Sequence, residues 1–182
     1  MLTKKENELF TRVGPGTPMG EVLRRYWQPV GCSELVTKKP QRTKLLGEEL
    51  VLYRGDSGTA VVMQLRCAHR SLALDYGRVE GDNLRCPYHG WCYDETGACT
   101  DRPMELNRHS FNRKTKAYPV RELGGMIFAY MGPEPAPALP QWDLFVWPRA
   151  IRQIAFNVLD CNWLQCHENT GDPTHSAWAH GE

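Results

Sequence analysis

Apolar residues change their spacing along the chain, and the changes divide it into regions. Over residues 1–30, Met19, Val22, Leu23, Tyr26 and Trp27 fall at helical intervals, and Thr17 stands before Pro18 as a cap before a first helical residue. The whole of 1–30 therefore reads as helical. From about Lys44 to Met131 the pattern becomes short apolar runs separated by turn residues. Residues 44–46 and 50–54 flank Gly47-Glu48-Glu49 as a hairpin, and Gly55-Asp56-Ser57-Gly58 turns the chain into a strand over 60–66. Further strands are predicted over 83–85, 91–93, 117–121 and 126–131, with Asp94-Glu95-Thr96-Gly97 and Gly124-Gly125 as turns. Residues 133–140, PEPAPALP, form a semi-rigid linker. Beyond it, 151–158 reads as a strand and Asp160 as the cap of an amphipathic segment running toward His175.

Composition narrows the classes. The chain has 182 residues, 41% of them hydrophobic and 24% charged, which describes an ordinary globular protein of one domain with pieces of a second. Its 22 basic and 21 acidic residues leave a net charge of +1, without the clustered basic face that nucleic acid requires. The first residues hold no apolar core of signal-peptide length, and the longest apolar run, 126–131, is too short to span a bilayer. Neither a nucleic acid nor a membrane is an expected partner. Gly14, Gly16 and Gly20 miss the spacing of a dinucleotide fingerprint by one residue and follow no strand, which rejects that reading.

The densest chemistry lies in Cys67-Ala68-His69 and, sixteen residues later, Cys86-Pro87-Tyr88-His89-Gly90-Trp91. Both halves fall at predicted strand ends, in loops, where a small antiparallel unit presents ligands. Two thiolates and two imidazoles are the donor set of a [2Fe–2S] cluster with cysteine on one iron and histidine on the other. Gly90 lets the backbone pass close to a sulfide, and Tyr88 and Trp91 can shield the cluster. A Cys₂His₂ zinc site uses the same donors, although zinc fingers pair a cysteine doublet with a histidine doublet and each loop here is mixed. Seven cysteines, an odd number without the spacing of a secreted disulfide framework, predict a reduced, cytoplasmic setting. Cys32, Cys92, Cys99, Cys161 and Cys166 are then expected to be buried free thiols. Arg70 and Arg85 flank the two loops and read as solvated charge, or as aids to docking a reductase.

A second pattern, Asp172-Pro173-Thr174-His175 with His180, lies near the end of the sequence. Aspartate before proline reads as a helix N-cap followed by the first helical residue. A five-residue step turns roughly 140° around an ideal helix, so the two rings converge only where the backbone bends or unwinds. Two histidines with a carboxylate nearby are elements of a mononuclear iron site. His167-Glu168 is not a zinc-protease helix, because position 171 is glycine; His167 and His109 read as surface or hydrogen-bonded residues.

Cys67-Ala68-His69-Arg70 with Cys86-Pro87-Tyr88-His89-Gly90-Trp91 resembles the Rieske domain of ring-hydroxylating oxygenases. It differs from the respiratory type, which carries an extra cysteine in each loop. GPGTPMGEVLRRYWQPV, residues 14–30, and residues 117–137 are similar to oxygenase (alpha) subunits of the phthalate 4,5-dioxygenase branch, and the resemblance covers essentially the whole chain. It implies a mainly β fold: a Rieske [2Fe–2S] antiparallel domain at 44–132, preceded by a helical segment, 1–43, that belongs to the catalytic domain. A proline-rich linker at 133–149 and the start of an incomplete α+β (helix-grip) catalytic domain at 150–182 follow.

The resemblance also implies roles. Cys67, His69, Cys86 and His89 would hold the cluster. Asp172, His175 and His180 match the family's Asp-x-x-His-x-x-x-x-His residue by residue, so His175 and His180 would bind mononuclear Fe(II). Asp172 would be the electron-transfer bridge, accepting a hydrogen bond from an iron-ligand histidine and linking to a cluster histidine of a neighbouring subunit. Asn169 would stand near the iron. The third ligand, a carboxylate, and most of the substrate pocket would lie beyond Glu182, so the chain reads as an N-terminal portion. The implied function is the oxygenase component of a multicomponent dioxygenase, a homotrimer or a multiple of it. It would take electrons from NAD(P)H through a flavin and iron–sulfur reductase or a ferredoxin, and hydroxylate an aromatic acid with O₂. O-demethylation or monooxygenation by the same machinery stays open, because the pocket decides between them. A Rieske ferredoxin-like electron carrier is the alternative of another class; it has no use for the helices before residue 44 or for Asp172, His175 and His180.

Overall fold

The run Leu50-Val51-Leu52-Tyr53 organises the fold. Successive residues of a strand face opposite sides, so four apolar residues in a row require cover on both faces. In the computed structural model, which describes residues 2–105 and 113–181, all four are at most 2% exposed. They lie in β3 (Glu48–Arg54), flanked antiparallel by β2 (Gln41–Leu45) and β4 (Ala60–Gln64); β4 pairs in turn with β9 (Ala117–Tyr118). Leu46 and Gly47 join β2 to β3 with φ of 45° and 79°, the two positive values that a two-residue hairpin of matching twist requires.

One face of this sheet, through Val51, Tyr53, Met63 and the following Leu65, packs on Leu74, Leu84, Trp91 and Tyr93. Those residues belong to or adjoin a second antiparallel sheet of β5 (Arg78–Glu80), β6 (Asn83–Arg85), β7 (Cys92–Tyr93) and β8 (Cys99–Asp101). The opposite face, through Leu50, Leu52 and Val62, packs on Tyr118, Ile127 and Ala129. This side is closed by a sheet ordered β1 (Gln28–Cys32), β11 (Met126–Ala129), β10 (Val120–Leu123).

Before the sheets, α1 (Lys4–Thr11) starts with a reciprocal capping box between Thr3 and Glu6. α2 (Pro18–Leu23) starts as predicted, with the Thr17 hydroxyl accepting from the Gly20 amide and Pro18 in the first turn. Helix does not continue through residue 30: Gln28 to Cys32 is an edge strand with a register shift between Pro29 and Gly31. After the sheets, the proline-rich stretch is pinned by Trp27 Nε1 donating to the Pro137 carbonyl at 2.9 Å. Three helices follow: α3 (Asp143–Val146), α4 (Trp163–Thr170) and α5 (Pro173–Ala179). Trp163 Nε1 donates to the Phe10 carbonyl and Asn162 Nδ2 to the Thr11 carbonyl, so the first helix touches the last region.

Several sequence expectations are corrected. The segment 151–158 is not a strand: among the described residues none pairs with it, and Ile151, Phe156 and Val158 are 73% or more exposed. Strand-like composition alone cannot make a ladder without a partner's carbonyls and amides. The cap of α4 is Asn162, whose Oδ1 accepts from the Leu164 amide, rather than Asp160. The predicted strand over 117–121 divides at Pro119, which has no amide to donate, and its halves join different sheets. Strands β1, β5 and β8 were not anticipated. All seven cysteines are free, but Cys161 and Cys166 are exposed with Sγ atoms 3.6 Å apart, and Cys32 and Cys99 are half-buried; of the five, Cys92 is buried. No described helix is long and apolar enough to cross a membrane. His109 lies outside the described residues.

A buried ion pair locks the N-terminal segment to the central sheet. The Arg24 side chain, 4% exposed, meets Glu48 Oε1 at 3.0 Å and donates to the Leu46 carbonyl, while the Tyr118 hydroxyl donates to Glu48 Oε2. Removing one partner of such a pair strands the other charge in a dry site. Glu48→Ala is therefore expected to cost about 3 kcal/mol in urea unfolding, and Glu48→Gln less, because the amide oxygen still accepts from the Tyr118 hydroxyl.

Candidate metal centres

Two short loops meet above the Tyr93 side of the core. The first leaves β4, and its ends are tied by the Arg66–Ala73 bridge, the Cys67 amide on the Leu72 carbonyl and the Ser71 amide on the Cys67 carbonyl. The second joins β6 to β7, closed by the Cys86 amide on the Trp91 carbonyl at 2.8 Å and the Gly90 amide on the Cys86 carbonyl at 3.1 Å. Gly90 sits at φ +74°, and a Cβ there would lie 2.7 Å from Pro103 Cγ. Only glycine fits, and the tight passage aims Cys86 and His89 to one side.

The loops bring the four predicted donors together as two pairs. The Cys67 and Cys86 thiols are both buried, and Cys67 is near enough to help raise the Cys86 thiol. The His69 and His89 rings stand 4.5 Å apart at 72°. Trp91 stacks parallel on His69 at 4.8 Å, and the Arg102 guanidinium lies 5.8 Å from the Trp91 ring centre. Tyr88 packs on His89 at 3.8 Å. The Tyr93 oxygen accepts from the Ala68 amide at 3.1 Å, which leaves its hydrogen for the Cys67 sulfur, also at 3.1 Å.

The electrostatics suit metal ligation. Burial, then the neighbouring His89, holds the His69 imidazole below its ordinary pKa, in the neutral form that ligates. Its Nδ1 is buried and has no hydrogen-bond partner among the described residues. Burial also raises the Cys86 thiol, and burial and then the bond to Cys67 raise Tyr93. Among the described residues no three His, Cys, Asp or Glu side chains gather about one point. A thiol pair beside an imidazole pair is instead the division that a two-iron cluster takes. The donors present fit that group.

The comparison with known families agrees. The Rieske [2Fe–2S] domain family matches residues 26–119. The chain belongs to this family. The cofactor of the Rieske domain is a [2Fe–2S] cluster. The chain is 51% identical to the 5,5'-dehydrodivanillate O-demethylase oxygenase subunit of Sphingobium sp. (strain NBRC 103272 / SYK-6), over 99% of this chain and 44% of that protein. It is 40% identical to the phthalate 4,5-dioxygenase oxygenase subunit of Pseudomonas putida, over 99% of this chain and 42% of that one. Among solved structures, dicamba monooxygenase bound to 3,6-dichlorosalicylic acid superposes with a TM-score of 0.79 at 27% identity, covering 87% of this chain and 47% of that one. The chain spans under half the length of these relatives.

The second pattern forms a separate, exposed place beyond the Rieske domain. Asp172 caps α5: its Oδ1 accepts from the Thr174 and His175 amides, with Pro173 as the first helical residue. His175 is in the first turn. His180 is the C-cap, at φ −129°, ψ 7°, so it has left helical geometry. That unwinding closes the 140° gap, and the two Nε2 atoms stand 3.2 Å apart. Nitrogens bound side by side on one metal, with bonds of about 2.1 Å, are about 3 Å apart. His175 Nδ1 is buried and has no hydrogen-bond partner among the described residues. Asn169 is exposed in the last turn of α4, and its carbonyl accepts from the Asp172 amide at 3.4 Å. His167 packs against Trp163 and takes no part in the pair.

Sequence reasoning missed Tyr93, Arg102 and the true setting of Arg85. The signal for Tyr93 was present: it stands two residues after Trp91, hence on the same face of the chain. Arg70 is exposed, as expected, but Arg85 is not solvated; it bonds to Glu80, Asp101 and the Gly90 carbonyl.

The cap at Asp172 has a measurable consequence. Asp172→Ala should cost α5 about 1 kcal/mol and speed amide exchange over residues 174–179, whereas Asp172→Asn, an equally good cap, should leave exchange unchanged.

Proposed function

We propose that this chain carries the electron-accepting cluster and two ligands of the oxygen-activating iron of a Rieske non-heme iron oxygenase. The observation that carries this reading is that two adjoining loops bury Cys67 and Cys86 and set the His69 and His89 rings 4.5 Å apart, with His69 stacked on Trp91. Cys67 and Cys86 would bind one iron of the cluster, and His69 and His89 the other. His175 and His180 would bind the mononuclear Fe(II), with a carboxylate from elsewhere as the third ligand. When bound, the cluster supplies one-electron transfer and the mononuclear iron supplies oxygen activation.

The residues of the chain arrange this chemistry. Tyr93 donates to the Cys67 sulfur and so offsets the added negative charge of a reduced cluster. Trp91 and Tyr88 pack on the two imidazoles and restrict the planes of their rings. Asp172 spends Oδ1 on the helix cap, which leaves Oδ2 to accept a hydrogen bond from a histidine. It serves as the bridge by which electrons pass from a cluster histidine of a neighbouring subunit to His175 or His180, in a homotrimer or a multiple of it. Asn169 stands beside that route. A reductase or ferredoxin delivers the electrons, which derive from NAD(P)H. The substrate is an aromatic acid that is hydroxylated with O₂. The 51% identity to an O-demethylase subunit favours a second outcome of the same machinery, removal of an O-methyl group from an aromatic ring.

Iron and sulfide analysis with EPR of the reduced protein tests the cluster assignment. About two irons and two sulfides per cluster are expected, with loss of both in Cys86→Ala; one zinc per chain would overturn it. Tyr93→Phe should leave the cluster in place and lower its midpoint potential, and a potential equal to that of the parent would remove the role given to the hydroxyl. Asp172→Asn, which keeps the cap, should preserve the cluster spectrum and slow cluster-to-iron electron transfer in single-turnover kinetics of the complete subunit. Parental rates there would sink the bridge.

A further inference from the structure

Arg85 is the last residue of β6 and immediately precedes Cys86. Strand register puts Arg78, Arg85, Cys92 and Asp101 in one row across β5, β6, β7 and β8. The first two are like charges directly opposite each other, which destabilises a sheet unless something compensates. Glu80 compensates, with Oε1 taking Arg78 and Oε2 taking Arg85 Nε at 2.7 Å. Arg85 Nη1 then reaches Asp101 Oδ2 at 2.9 Å and, with its other hydrogen, the Gly90 carbonyl. The side chain is 20% exposed. Gly90 follows His89, and its amide already bonds back to the Cys86 carbonyl. The guanidinium thus joins the residue before the loop to the residue that ends its turn.

We propose that Arg85 is a positioning residue for the cluster: braced by Glu80 and Asp101, it holds the Gly90 carbonyl and so fixes the loop that presents Cys86 and His89. The proposal rests on the assignment of those two residues as cluster ligands. A rigid planar fork is required, because one side chain must satisfy two carboxylates and a carbonyl in fixed directions. Lysine supplies the charge from a single flexible point and cannot do this. Removing the clamp lets the Gly90 peptide turn, and with it the ring plane of His89, without touching a donor atom. Arg85 also adds a cation near the cluster, so its loss disfavours the more negative, reduced state.

The test compares cluster-loaded protein with Arg85→Ala, Arg85→Lys and Asp101→Asn, by EPR of the reduced state, redox titration and the rate of iron loss to a chelator. Arg85→Ala and Arg85→Lys are both expected to shift and broaden the EPR features and to lose iron about tenfold faster, the usual penalty for removing a group that supports a metal ligand. Arg85→Ala should also lower the midpoint potential. Asp101→Asn, which keeps its shape, should move the spectrum the same way by less. Parental spectra and iron retention in Arg85→Lys would show that charge alone suffices and would overturn the proposal, as would a parental Arg85→Ala. Should Arg85→Ala fail to fold, unshifted spectra in both remaining variants would overturn it equally. A parent protein that holds no [2Fe–2S] cluster would instead overturn the ligand assignment beneath it.

Discussion

The arrangement of the donors depends on one contact: the Tyr93 hydroxyl, reached from β7, bonds to both the Cys67 sulfur and the Ala68 amide of the other loop. Each loop is closed by its own backbone bonds, but nothing in those bonds fixes one loop relative to the other. Tyr93 does so from beneath, and it can because its ring is fully buried against Leu65, Leu74 and Leu84, all 0% exposed. Each such side chain contributes about 2–3 kcal/mol by leaving water. That packing sets the separation of the loops before any metal arrives. Metal binding then has less chain entropy to remove than it would in an unstructured chain.

The same core explains which features could be read from residues alone. β3 and β4 were legible because their apolar runs demand burial and nothing else in the region offers it. The donor motif stood out because thiols and imidazoles in that order have few other uses. β5 and β8 were not, since Arg-Val-Glu and Cys-Thr-Asp carry no pattern over three residues; they exist because β6 and β7 give them edges to pair with. β1 was hidden by Pro29 and Gly31, which an edge strand tolerates and a sequence pattern penalises. The error at Arg85 followed from these omissions. Its two carboxylate partners lie on β5 and β8, so without those strands it had no visible partner and read as solvated charge. The failure at 151–158 is the converse: its apolar residues state what a partner sheet would have to cover, and pairing needs that partner to be beside it.

The two centres draw on different sources of order. Around the cluster loops, a central sheet buried on both faces supplies rigidity, and Gly90 is forced by the proximity of Pro103. Around His175 and His180, order comes from the termini of one short helix. A helix of seven residues is below the length at which propensity sustains it in water. The Asp172 cap and Pro173 hold its start, and the departure of His180 from helical angles ends it where both Nε2 atoms converge. The helix breaks that would be faults in a structural element are here what make a pair of nitrogens.

This contrast bears on the bridging role proposed for Asp172 beside its capping one. This capping carboxylate is held by two amides on one oxygen, which leaves its second oxygen free of the cap. An acceptor fixed in this way needs no further ordering when a histidine N–H arrives, which lowers the entropic cost of forming a bridge between subunits. Asparagine would keep the cap through its oxygen and turn the outward atom into a donor, so geometry and charge separate cleanly at this one position. Capping therefore would not compete with the proposed electron transfer. By immobilising the carboxylate beside His175, it would provide the geometry that such transfer requires.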